Sequence, residues 1–102
     1  MASTRLSISR EQFVDQISSD AVPLTVVSFV WDQIEPYYFA PLTPHPEDHL
    51  VSDMRIDSDD LSDIVMEFEH QFDRRWLGSW VGPEDPPLAE FAVGLLNSTE
   101  PK

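Results

Sequence analysis

At 102 residues and 41% hydrophobic content, the chain has material for one small domain with an economical core. A formal charge of −13 disfavours nucleic acid and anionic membranes as charge-driven partners and favours basic proteins, although acidity can also serve solubility alone. Without cysteine there is no disulfide, no thiolate metal site and no side-chain thiol nucleophile, and no run reaches the ~20 apolar residues of a membrane span. A soluble, cytoplasmic protein is expected.

Residues 1–7 are polar and expected to fray. Ser9 and Gln12 then have the spacing of a capping box, with Ile8 and Phe13 as a hydrophobic staple across it. Phe13, Val14 and Ile17 give this short first helix an apolar face. Pro23 suits the first turn of a second helix, in which Leu24, Val27, Trp31 and Ile34 recur at helical spacing. The β-branched content of LTVVSFVW also allows a buried strand, but no second convincing strand is present to pair with it. Glu35 before Pro36 predicts the stop. Pro41, Pro44 and Pro46 make residues 37–49 a long loop, docked by Tyr37, Tyr38, Phe39 and Leu42.

Asp57 and Ser58 open the central helix, because short polar side chains accept from the first free backbone N–H groups. Leu61, Ile64, Val65, Phe68 and Phe72 form one apolar stripe, with acids on the other faces and Met66 standing on the acidic side. Arg74 and Arg75 are placed for the negative end of this helix's dipole. Trp76, Leu77, Trp80 and Val81 have the spacing of one or two helical turns. After a break at Gly82, Pro83, Pro86 and Pro87, a last helix runs to about Asn97, with Gly94 inside it. The expected fold class is all-α: a bundle of three main helices and a short one over residues 23–98, an extra helix in an N-terminal extension over 1–22, and a tail over 99–102.

Residues 50–72 resemble the centre of acyl carrier proteins. The family's run is apolar-Val-x-Asp-Leu-Gly-x-Asp-Ser-Leu leading into a helix. Leu50-Val51-x-Asp53-Met54 matches the first part, Asp57-Ser58 the modified site, and Asp63-Ile64-Val65-Met66 with Phe68-Glu69 and Phe72 the helix, without a gap. Two positions depart from it: Arg55 stands for the glycine, and Asp59 for the apolar residue after the serine. The resemblance implies a non-enzymatic carrier with phosphopantetheine on Ser58 beside Asp57. It also implies a phosphopantetheinyl transferase and basic-surfaced acyl-transfer enzymes as partners, read by Asp60, Asp63, Met66 and Glu69. A monomer is expected. Trp76 and Trp80, turned inward, would fill the space of a long acyl chain and leave room for a short one or none. The two departures favour an alternative, an unmodified interaction module of the same fold. An acidic inhibitor or immunity-type protein would need only the charge.

Other chemistry finds little support in the residues. The Asp-rich run from Asp57 fails the calcium-loop pattern, with Ser62 where glycine belongs and Phe68 where glutamate belongs. His45 and His49 lie four apart in a Pro-rich segment with no further ligand spaced to join them. No phosphate-binding glycine loop or catalytic-triad order is visible.

Overall fold

The computed structural model describes residues 7–39 and 42–102; Pro41 and residues 1–6 of the segment expected to fray lie outside them. Helix α1 (Arg10–Ile17) begins with the full capping box, the Gln12 N–H donating to Ser9 Oγ at 3.1 Å and the Ser9 N–H to Gln12 Oε1 at 2.8 Å. Phe13 is fully buried and meets Trp31 edge-on at 5.2 Å, while Arg10 forks onto the Asp32 carboxylate at 3.1 and 2.9 Å. The helix of the N-terminal extension therefore shares the core of the residues that follow it.

Helix α2 (Leu24–Ile34) has no side-chain cap; its first turn instead closes on the Pro23 carbonyl, which accepts from Val26 and Val27. It is buried on most sides through Val26, Val27, Phe29, Val30, Trp31 and Ile34, which explains why its sequence also read as a buried strand. Leu24, expected on the apolar face, is 61% exposed. A 3-10 turn (Glu35–Tyr37) carrying Pro36 ends the helix, as the proline predicts.

Helix α3 (Ser58–Phe72) is capped by Asp57 and ends at Asp73 in the left-handed conformation. Ile64, Val65 and Phe68 are buried, and Phe68 joins Phe29 and Phe72 at ring separations of 5.3 and 4.8 Å. Helix α4 (Leu88–Asn97) follows Pro87 and buries Leu88, Phe91, Ala92 and Leu95 in the same core.

The all-α expectation is corrected here. Strand β1 (Arg74–Trp76) pairs antiparallel with β2 (Thr99–Pro101), in the register Arg74↔Pro101, Arg75↔Glu100 and Trp76↔Thr99. The residues expected to form the short helix are thus part strand and part loop, and part of the expected tail is a strand. Arg74 explains the pairing. Its guanidinium donates to Thr99 Oγ1 at 2.8 Å, to the Thr99 carbonyl at 2.8 Å and to the Leu96 carbonyl at 3.1 Å. It therefore satisfies an open carbonyl in the last turn of α4 and ties Thr99 of β2 to β1, whereas its position in the sequence predicts a place at the end of α3. Among the described residues, no helix is long and apolar enough to cross a membrane.

Candidate functional site

Ser58 is the first helical residue of α3 and is exposed. Asp57 just before it accepts the Asp60 N–H at 2.8 Å, so the cap is Asp57 and the serine hydroxyl is left on the outer surface of the first turn. The approach to this helix is a tight turn. Asp53 N–H donates to the His49 carbonyl at 3.2 Å, Arg55 N–H to Val51 at 2.9 Å, and Ile56 N–H to Leu50 at 3.2 Å. The chain reverses at Arg55, whose φ is +58°, in the left-handed region that glycine occupies at least cost. Arg55 stands where the acyl-carrier run has glycine. The residue departs from that run, while the backbone conformation is one that a glycine favours. Leu50 and Ile56, on either side of the reversal, are buried anchors; Val51 is exposed and Met54 only partly buried.

A second loop clamps this turn. The Leu50 N–H donates to the Pro86 carbonyl at 3.0 Å, and His49 bridges Pro87. Asp85 Oδ1 accepts from the Val51 and Ser52 N–H groups at 2.7 and 3.3 Å. The Ser52 hydroxyl and the Val51 N–H hold the Asp85 carboxyl below its ordinary value, with a smaller contribution from His49. Asp48 provides the other fastening. It is buried, accepts the Tyr38 hydroxyl and the His45 N–H, and gives its carbonyl to the Leu88 N–H. Tyr38 thus docks the Pro-rich loop as expected, whereas Phe39 is 85% exposed and Tyr37 turns elsewhere.

Trp80 closes the arrangement. Its ring lies 5.7 Å from that of Phe91 and directly over Gly94, where a Cβ would run into the indole. Trp80 Nε1 donates to the Pro83 carbonyl at 2.9 Å, and the Val81 N–H to Ser98 Oγ at 2.8 Å. The glycine inside α4 is therefore there for a close approach. Trp76 and Trp80 do not share a helical turn as their spacing predicts: Trp76 lies in β1 and Trp80 in the following loop, both half-buried.

Between α3 and these tryptophans run two adjoining hollows. One, of about 320 Å³, is lined by Ile56, Asp57, Ser58, Leu61, Trp80, Glu84 and Pro86 among others; the second, of about 350 Å³, by Leu61, Ser62, Val65, Met66, Glu69, Trp76 and Trp80. The residues expected to meet partners divide around the helix. Met66, 64% exposed, and Glu69 border the second hollow, and Glu69 Oε2 accepts the Trp76 N–H at 2.9 Å. Asp60 lies instead beside Tyr37. Partial burial, then Asp60, then Asp57 and Asp63 push the Tyr37 phenol above its ordinary value. Tyr37 and Asp85 carry no signal for the site in the sequence, whereas Trp80 and Arg55 do, the first as a ring near the acyl-chain space and the second as the departure at the glycine. Only Gly94, a costly residue in mid-helix, signalled a close packing partner there.

His49 Nδ1 lies 3.6 Å from Asp53, and the His45 backbone is tied to Asp48. The acids of the Asp57 run point around the helix rather than inward to one point. Among the described residues, no group of three or more His, Asp or Glu side chains gathers in a way that could hold a metal ion.

Comparison with known proteins finds no matching protein-family model, no matching curated protein and no matching solved structure. The acyl-carrier resemblance accordingly stands on residues 50–72 themselves.

Proposed function

We propose that this is an acyl-carrier-like protein of the cytoplasm, not itself an enzyme, that carries phosphopantetheine on Ser58 and presents a thioester-linked group to partner enzymes. The observation that carries this reading is the place of Ser58: exposed, on the first turn of a 15-residue helix, beside an apolar hollow in the wall of the same domain. A transferase would use the Ser58 hydroxyl to attack the β-phosphate of coenzyme A. The serine oxygen gains the phosphopantetheine as a phosphodiester, the adenosine bisphosphate leaves with the electron pair of the broken bond, and the hydroxyl proton passes to a base. Free N–H groups and positive potential at the start of α3 favour the attached diester. The terminal thiol of the arm supplies the nucleophile that a chain without cysteine lacks.

One observation favours a second reading, the same fold used as an unmodified interaction module. Asp57, Asp59 and Asp60 surround Ser58 with like charge, which opposes a phosphodiester and the docking of a transferase. Intact mass after incubation with coenzyme A and a promiscuous transferase separates the two. The wild-type protein is expected to gain one phosphopantetheine, Ser58→Ala none, and Asp59→Leu to gain it faster. Wild-type protein that stays unmodified with several transferases overturns the carrier and leaves the module.

A further inference from the structure

We infer that the groove between α3 and the two tryptophans is the docking site for a basic amphipathic helix of a partner protein. The inference rests on the partner-binding half of the function proposed above and is independent of attachment at Ser58. The two hollows share Leu61 and Trp80, so they form one trough. Its apolar wall is continuous, from Leu61 past Trp80 and Trp76 to Met66, whose side chain projects largely into solvent. Methionine and tryptophan at an exposed groove are suited to burying a partner's apolar ridge.

The charge of the trough selects the occupant. Asp57 and Glu84 border one end and Glu69 the other, and no basic residue lines it among the described residues. Elsewhere Arg10 is committed to Asp32, Arg74 to the end of α4 and Arg75 to Glu100. A ligand here is attracted for being apolar along its centre and positive along its flanks. A neutral apolar molecule leaves the acids unused, and a nucleic acid or an anionic membrane is repelled. From Asp57 to Glu69 the helix rises about 18 Å, a little over three turns, so a partner helix of similar length spans both acidic ends. Apolar anchors at i, i+3 or i+4, and i+7 with Lys or Arg beside them meet these terms. The opposite flank of α3 carries Asp60, beside Tyr37.

The test uses the full chain and a labelled synthetic leucine–lysine helix of ~18 residues, long enough to span the trough. Its controls are oligolysine of equal charge and a leucine–glutamate counterpart. At low salt the leucine–lysine helix should bind and shift backbone amide resonances of residues 61–69 and 76–81. Oligolysine should bind at least about tenfold more weakly, since charge alone leaves the apolar wall unused. Met66→Lys and Asp63→Asn change net charge equally, but only Met66 borders the trough. The first should weaken binding about tenfold, the second less than about threefold, and Met66→Leu should bind like the wild type. Equal losses in the two charge variants, oligolysine binding as well as the amphipathic helix, shifts centred elsewhere, or no binding at all would each overturn the inference. If Ser58 proves unmodifiable while the helix still binds in the trough, the carrier reading fails and this one stands.

Discussion

Phe68 and Trp80 are two large aromatics packed around one helix, and they do different work. Phe68 is fully buried behind α3, against Phe29 and Phe72, in a core that α1, α2 and α4 close on all sides. Trp80 packs one face on Phe91 and Gly94 and leaves the other as the wall of an open groove. The first cluster holds the fold together, whereas the second holds a surface in shape. The back of α3 is apolar by composition. Leu61 and Val65 carry its apolar stripe to the edge of the groove, and a loop, held by Ser98 and Pro83, brings an indole to face them.

This contrast predicts the largest effect. Phe68→Ala removes a ring from a filled interior and should cost about 3–5 kcal/mol. Trp80→Ala removes a larger ring that is already part-solvated, and should cost only about 1–2 kcal/mol. Urea unfolding followed by circular dichroism measures both. The ranking should invert for the leucine–lysine helix: a Phe68 variant that still folds binds it, and the Trp80 variant loses it. A Trp80 substitution as costly as that of Phe68 would make the indole part of the core and not a groove wall.

The same contrast marks where the sequence was readable. Each helix is announced by chemistry within a few residues: Ser9 with Gln12 for α1, Pro23 and Pro36 for α2, Asp57 for α3 and Pro87 for α4. The β1–β2 pair was not legible, because three-residue strands have no periodicity to read and Arg74 meets Thr99 only once α4 has packed. The spacing of Trp76 and Trp80 misled for a related reason. Four residues apart they mimic a helical face, yet Gly78 between them has φ +107°, which breaks any helix there. Of the site, Ser58 and its cap were legible as a helix start. The groove was not, since its second wall comes from residues far along the chain.

The two sides should also part company in acid. The loop clamp at Asp85 depends on an ionised carboxylate, whereas the aromatic core has no titrating group in its ring contacts. The Asp85 carboxyl is held below its ordinary value of 3.8 by the Ser52 hydroxyl and the Val51 N–H, so the folded state binds fewer protons there than the unfolded chain. Its contribution to stability is therefore complete above the ordinary value and is lost as pH falls through the lowered folded one. Melting curves from pH 6 down should fall more steeply below about pH 4 for the wild type than for Asp85→Asn. Amide exchange at Val51 and Ser52 should quicken over the same range. A variant whose acid dependence matches the wild type would show that the clamp rests on Leu50–Pro86 and Asp48–Leu88 instead.

The smallest effect concerns the turn that delivers the chain to Ser58. Arg55 adopts φ +58°, where an L side chain crowds the following carbonyl at about 1–2 kcal/mol. Glycine removes that crowding but loses more freedom on folding, by about 0.5–1 kcal/mol. Arg55→Gly should therefore stabilise the protein by a few tenths to about 1 kcal/mol, despite deleting a cation from a protein of charge −13. Asp73→Gly, at the left-handed end of α3 with φ +53°, is the matched control, and should gain less because aspartate tolerates this conformation better than arginine. Denaturant midpoints at moderate salt measure both, since screening there reduces the charge effects of the two substitutions. If Arg55→Gly destabilises, the arginine side chain contributes more at this turn than its backbone costs, and it would be a positive group beside the exposed serine. The transferase assay can then be repeated on that variant: slower modification would assign Arg55 to the phosphate, and an unchanged rate would leave it a purely structural residue.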